Sequence, residues 1–285
     1  MDRTPVVAAH PNGHFYSPVV DPAELLPQQS RLWPESPQLL GVDFNDASHL
    51  AILRNEFPRF MADFDYPAQA PAEDSALDRY YIDNSQFGWL DARALFVLLR
   101  AWRPRRVIEV GSGYSSLLMA DVNQRFLGGE VDITCIEPYP RPFLRNRLPG
   151  IARVIEHKVQ DLPLDRFAEL DAGDILFIDS SHVAKTGSDC NHLYFEVLPR
   201  LRPGVLVHIH DIFFPHDYPK DWVLGENRSW NEQYLVRALL MYSSAFRVRF
   251  GCSYAFHRFP ADVLAALAYP DGRAFAGGSL WIERV

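Results

Sequence analysis

From Phe87 to its end the sequence switches hydrophobic period again and again, and this rhythm limits the fold more than any other feature of the chain. Residues 90–102 repeat apolar side chains at helical spacing and stop at Arg103-Pro104, where proline restricts the residue before it and ends a helix. Val107-Ile108-Glu109-Val110 then reads as a short strand, and residues 115–126 return to helix with Leu117, Leu118 and Val122 on one face. Further strands are read at 133–136, 152–158, 175–178 and 205–209, with a helical piece near 141–148 and a helix over 189–201 between them. Apolar strands that alternate with helices pair in parallel, because each crossover consumes a helix, and strands without polar positions need cover on both faces. The pattern therefore predicts an α/β fold around a doubly wound, Rossmann-like sheet. A strong helix over 230–242 precedes two closing strands, 246–250 and 279–285, read as an antiparallel pair.

The first 86 residues lack that rhythm. Pro5, Pro11, Pro18, Pro22, Pro27, Pro34, Pro37, Pro58, Pro67 and Pro71 punctuate them, and a residue without an N–H and with fixed φ stops long regular elements. One helix is predicted over 49–57, capped by Ser48 and ended by Pro58. Aromatic residues such as Phe15, Tyr16, Trp33, Phe44 and Tyr80 give this segment a surface to pack on a body. The predicted division is 1–86, an N-terminal arm and lid that extends the substrate site, and 87–285, a ligand-binding catalytic domain.

Composition excludes several classes. With 285 residues, 48% hydrophobic and 22% charged, the chain has the material for a packed core and does not read as disordered. Its 28 basic residues against 36 acidic ones leave a net charge of -8, which argues against a nucleic acid or an anionic membrane as the partner. Cys135, Cys190 and Cys252 are spaced too widely for a disulfide framework or a thiolate zinc site, which fits a reducing compartment. Met1-Asp2-Arg3-Thr4-Pro5 lacks the basic and apolar regions of a secretory leader. Apolar stretches such as 94–102 are broken by Arg far short of the roughly 18–20 residues a membrane span needs. A soluble, cytoplasmic protein is expected.

Open parallel sheets bind ligands at the carboxyl ends of their strands, and every chemically suggestive residue falls at such an end. Glu109-Val110-Gly111-Ser112-Gly113 is a strand feeding a glycine turn and then a helix, where the backbone can approach a nucleotide-like ligand. Glu137 closes the next strand, placed to accept from both hydroxyls of a ribose. The alternative is a purely structural turn. The third position of a dinucleotide fingerprint is Ser116 here, which counts against NAD, and Glu109 suits a ligand with a cationic end better than a pyrophosphate.

Val107-Ile108-Glu109-Val110-Gly111-Ser112-Gly113 resembles the first motif of the class I S-adenosylmethionine-dependent methyltransferases, and Cys135-Ile136-Glu137-Pro138 resembles their second. Val159-Gln160-Asp161-Leu162-Pro163 sits where that family contacts adenine. Asp174-Ile175-Leu176-Phe177-Ile178-Asp179 and Leu201-Arg202-Pro203-Gly204-Val205 are similar to its fourth-strand motif and to the turn entering the fifth strand. The resemblance covers roughly 87–285 and is nearest to the sugar and phenolic O-methyltransferases. It implies a seven-stranded, mostly parallel sheet of order 3-2-1-4-5-7-6 and S-adenosyl-L-methionine as cofactor. It also implies a donor site of Glu109, Gly111, Ser112, Gly113, Tyr114, Glu137, Pro138, Gln160, Asp161 and Asp179.

A third group follows strands four and five: Asp179-Ser180-Ser181-His182 and His208-Ile209-His210-Asp211. Neighbouring strands bring Asp179 to His210 and Asp211, where metal-dependent relatives of the catechol and caffeoyl-coenzyme A type carry Asp and Asp-Asn. Two carboxylates and an imidazole are a donor set for a divalent ion, Mg²⁺, Mn²⁺, Fe²⁺ or Zn²⁺, with the imidazole favouring the last three. His182 takes the place of those relatives' catalytic Lys and reads as the general base, with Asp179 as the second catalytic residue. The bland alternative is a His that caps a helix or holds a loop. His208 reads as a core histidine, and His210, on the same face at the rim, as the functional one. His14, Tyr16, Asn84 and Trp230 are candidates for an aromatic-lined pocket for a small-molecule acceptor, with core packing as their alternative.

The expectation is methyl transfer to a small molecule, at a hydroxyl, by a protein that is a candidate homo-oligomer. Rival readings are a metal-dependent oxygenase or hydrolase using His182, His210 and Asp211, and a non-catalytic donor-binding protein.

Overall fold

A computed structural model describes residues 7–267 and 276–285. Seven strands form one sheet: β1 (Arg106–Val110), β2 (Asp132–Ile136), β3 (Arg153–Ile155), β4 (Ile175–Ile178), β5 (Leu206–Ile209), β6 (Phe246–Gly251) and β7 (Leu280–Arg284). Their order is β3-β2-β1-β4-β5-β7-β6, with β1 to β5 parallel and β7 antiparallel to both β5 and β6. This is the order and the single reversal that the resemblance implied. Strand β3 is shorter than the expected run of 152–158, since only three of its residues pair with β2 before the chain turns.

Every residue of β4 and β5 is buried, as two-sided cover demands. Val107 of β1 faces one apolar layer with the helices Trp89–Trp102 and Tyr114–Phe126, while Ile108 and Val110 face the other, with Leu193 and Val236. The ladder continues one residue beyond the strands at their carboxyl ends. Gly111 N–H donates to Ile136 O (3.0 Å), Asp179 N–H to Val110 O (2.8 Å) and His210 N–H to Ile178 O (2.9 Å). Gly111, Asp179 and His210 thereby stand in one row across the middle of the sheet.

The amino-terminal segment departs from expectation at its helix. The helix begins at Asp46 after Asn45, so Ser48 lies inside it and donates to Arg249 O on β6 (2.7 Å). Pro58 does not end it. The turn before it widens, with Phe57 N–H reaching back five residues to Ile52 O, and helix resumes over Phe57–Phe60. Widening the turn absorbs a residue that lacks an N–H and whose ring would crowd a regular turn. His49 is wholly buried and its Nε2 accepts from Gly251 N–H (2.8 Å), which fastens this helix to β6. Among the described residues, no helix is long and apolar enough to cross a membrane.

Candidate active site

Two cavities open side by side at the carboxyl ends of the strands and share Gly111, Glu137, Asp179, Ser180 and Ser181. The larger measures about 800 Å³, the smaller about 430 Å³. The glycine turn divides them. Gly111 has φ +80°, and a Cβ there would lie 1.7 Å from the carbonyl oxygen of Asp179, so the turn excludes any side chain. Glu137, at the end of β2, accepts from the N–H groups of Ser112 (3.2 Å) and Tyr139 (2.8 Å), which fixes its carboxylate between the cavities. Ser112, Gly113 and Tyr114 line the larger cavity, and Pro138 and Gln160 the smaller.

Two expected donor residues lie elsewhere. Glu109 is fully buried beneath the turn, because strand alternation puts it on the face of Val107, under the start of the helix Tyr114–Phe126. Its carboxylate accepts from the hydroxyls of Ser115 (2.6 Å) and Ser116 (2.5 Å), and the Cys135 thiol lies 3.2 Å away. Ser116 Oγ in turn accepts from Gly113 N–H (3.0 Å), so the Ser at the third fingerprint position braces the turn. Burial raises the Glu109 carboxyl to about 7 against the pull of those hydroxyls. Asp161 lines neither cavity. It is exposed at the end of the tight turn Val159–Asp161, which buries Val159 and directs the acid outward.

The floor of the larger cavity is a carboxylate–histidine cluster. Asp179, His210 and Asp211 each offer a ligand atom within 4.8 Å of the others. His182 Nε2 lies 3.4 Å from Asp179 Oδ1 and 3.4 Å from Asp211 Oδ2. Its Nδ1 is 2.8 Å from Oε2 of Glu232, a fully buried acid that also accepts from Tyr194 OH (3.0 Å) and Ser180 Oγ (3.2 Å). His210 Nδ1 lies 3.5 Å from both Asp179 Oδ1 and Asp211 Oδ1, while its Nε2 is 3.5 Å from buried Asp91. Asp91, from the first turn of the helix Trp89–Trp102, is itself held by the N–H groups of Gly278 (2.9 Å) and Ser279 (2.7 Å).

Burial disfavours a charged His182, but Asp179 and Glu232 outweigh it and lift the ring to about 10. Asp179 moves the other way: burial opposes its charge, and His210 and His182 overcome it, holding the carboxyl far below its usual range. Burial likewise opposes charge on His210, and Asp211 and Asp179 raise it well above the ordinary imidazole value. Nδ1 of His182 is thus committed to Glu232, while Nε2 faces Asp179 and Asp211 at the larger cavity. His208, one pleat back on the same face, is stacked on Phe177 with its Nε2 2.8 Å from Ser279 Oγ, and burial drives its pKa well down, as a core histidine requires.

Of the expected acceptor contacts, Trp230 lines the larger cavity and tilts over His182, ring centroids 4.5 Å apart. Asn84 is spent on its own turn, bonding the backbones of Tyr81, Gln86 and Phe87, and borders a lesser cavity of about 250 Å³. His14 and Tyr16 reach neither main cavity. In a turn closed by Gly13 N–H to Val19 O (3.0 Å), His14 stacks on His10 and Phe15, while Tyr16 tilts against Phe15 and is exposed. The sequence gives no signal for Trp222 or Arg228, and it marks Glu232 only as part of the pocket segment Trp230-Asn231-Glu232-Gln233-Tyr234, not as the partner of His182. A single acid inside the apolar run Trp89-Leu90-Asp91-Ala92 was the available signal for Asp91.

Residues 108–212 match the family described as Methyltransferase domain, a span from β1 through Asp211 that takes in the glycine turn, Glu137, Asp179 and His210. The chain belongs to the class I S-adenosylmethionine-dependent methyltransferases. A protein of Archaeoglobus fulgidus, described as uncharacterized, is 36% identical to this methyltransferase over 168 residues, 56% of this chain and 73% of that one. Among solved structures it is similar to an O-methyltransferase from Bacillus cereus in complex with SAH (TM-score 0.41, 16% identity, 82% of this chain and 91% of that one). Another is a SAM-dependent methyltransferase from Anabaena variabilis (TM-score 0.37, 10% identity, 86% and 96%).

Proposed function

We propose that this methyltransferase moves the methyl of S-adenosylmethionine to a hydroxyl of a small molecule held in the larger cavity. The observation that carries the reading is the convergence, on one side of a glycine turn that excludes any side chain, of Glu137 with the carboxylate–histidine floor. The adenine would lie in the smaller cavity against Pro138, Val159 and Gln160, the ribose on Glu137 and the methionine along Gly111 to Gly113. Its sulfonium then faces Asp179 and the acceptor space bounded by Trp222, Arg228 and Trp230. The methyl is already activated, so holding the acceptor oxygen in line behind it supplies most of the rate.

Asp179, His210 and Asp211 fit a divalent cation by chemistry and spacing, because two carboxylates and an imidazole converge with no cationic side chain other than histidine among them. Such an ion, when bound, lowers the pKa of an acceptor hydroxyl. The residues themselves place that hydroxyl: Trp230 over His182 and Trp222 beyond it wall off water.

The arm's part in the substrate site is more limited than its length. Residues Ser85 and Gln86 line the cavity directly. Upstream, Ser229 Oγ accepts from Val20 N–H (3.1 Å) and Trp33 Nε1–H donates to Tyr218 O (2.8 Å), which secure the loop carrying Trp222, Arg228 and Trp230.

Incubation with methyl-labelled S-adenosylmethionine and a fractionated small-molecule extract, with and without chelator, tests the reading. The label should appear in an ether that survives alkali. Label in an amine, in an alkali-labile ester or in no small molecule would contradict it.

A further inference from the structure

We infer that the acceptor carries an anionic group, a carboxylate or a phosphate, and that Arg228 in the wall of the larger cavity receives it. The inference rests on the methyl-transfer reading of that cavity and adds to it a class of acceptor.

The charged side chains that line the cavity fall into two groups. Glu137, Asp179 and Asp211 are its acids, and His182 and His210 each lie 3.4 or 3.5 Å from both Asp179 and Asp211. Arg228 is the remaining cation among the described lining residues, and no described ion pair joins it to those acids. Its guanidinium carbon lies over two indoles instead, 4.2 Å from the ring centre of Trp222 and 4.9 Å from that of Trp230. With the ribose on Glu137 and the sulfonium before Asp179, the donor makes no use of this cation.

The local chain holds Arg228 in position. The helix Lys220–Leu224 closes with the N–H groups of Gly225 (2.9 Å) and Glu226 (3.1 Å) on Asp221 O, and Arg228 N–H donates to Trp222 O (2.9 Å). Backbone and guanidinium therefore both rest on Trp222. The two indoles meet at 78°, centroids 5.4 Å apart, and Arg228 lies against each. A guanidinium over aromatic rings keeps its N–H groups at the edge, where they form the planar fork that matches a carboxylate or a phosphate.

One acid competes for that edge. Glu226 Oε2 accepts from Arg228 Nε and lies 2.6 Å from both Nε and Nη2, while Nη1 bonds no described group. The Glu226 side chain is 51% exposed, and an ion pair of that kind contributes little. An anion inside the cavity, walled by the indoles, gains more from the same fork because less water screens it. A neutral acceptor would strip water from the guanidinium and return no charged bond.

The test uses the whole chain with methyl-labelled S-adenosylmethionine and a small-molecule extract, the products passed over an anion exchanger at neutral pH. The labelled ether should be retained, whereas the unreacted donor, a net cation, passes through. Phosphatase treatment then separates the two anions: a phosphate monoester loses its retention and a carboxylate keeps it. With the anionic fraction of the extract as substrate, Arg228→Gln should raise KM by about 10–100-fold, the loss of a charged bond, with S-adenosylhomocysteine binding unchanged. Arg228→Lys should recover part of that loss, and Glu226→Gln, which releases the guanidinium, should lower KM. A labelled ether that the exchanger does not retain, or an unchanged KM in Arg228→Gln, would overturn the inference and leave methyl transfer standing. Glu226→Gln as impaired as Arg228→Gln would overturn it too, because the pair would then be a clip for the loop. No labelled small molecule at all would defeat methyl transfer and the inference with it.

Discussion

Two carboxylates occupy the ends of the paired strands β1 and β4, and the protein handles them in opposite ways. Glu109 lies opposite Phe177 in the ladder, faces the layer beneath the helix Tyr114–Phe126, and has only neutral hydroxyls and a thiol around it. Burial dominates and its carboxyl rises to about 7. Asp179 stands one position past the ladder, at the mouth, between two imidazoles that hold it ionised. An acid at a strand end therefore becomes an ionised group at the mouth or a protonated brace beneath it according to the face it takes and the charge of its partners, and Gly111 lies between these two.

The largest expected effect removes that spacer. Gly111→Ala puts a methyl into the Asp179 carbonyl at positive φ, which should destabilise the fold by about 3 kcal/mol or more and abolish donor binding. Urea denaturation and calorimetry check both, and near-wild-type values would show that the turn is not the constraint. The next concerns protonation. A carboxyl raised from 4.5 to about 7 favours the protonated folded state, so its stabilisation is complete below about pH 4.5 and is lost as pH climbs through about 7. That contribution is about 3 kcal/mol, and Glu109→Gln, already neutral, should flatten the fall in stability over this window. An unchanged slope would mean that Glu109 is ionised throughout. At the donor site, Glu137→Gln should weaken S-adenosylhomocysteine by about tenfold, the loss of a charged acceptor worth about 1.5 kcal/mol, with stability retained. The smallest effect is expected at Asp161. Exposed and outside both cavities, its change to Asn should alter donor affinity by less than about twofold, since surface substitutions away from a site do little.

The sheet was legible because its information is local. Strand and helix periods, Gly111 and the acid at Glu137 are read within a few residues of each other. The floor was half legible. Asp179, His210 and Asp211 follow from neighbouring strands, but Asp91 reaches His210 from 119 positions away in the chain, and Glu232 meets His182 across 50. No local pattern encodes such meetings. Glu109 was misread because alternation gives two faces without saying which one the ligand uses. Pro58 was misread because a widened turn, which costs the helix one bond and keeps its direction, leaves no sequence signal of its own.

Calorimetric titration of the purified chain with S-adenosylmethionine and S-adenosylhomocysteine tests the central claim most directly. One site per chain is expected for each ligand, weakened in Glu137→Gln and unchanged in Asp161→Asn. A folded sample that takes up neither ligand would contradict it.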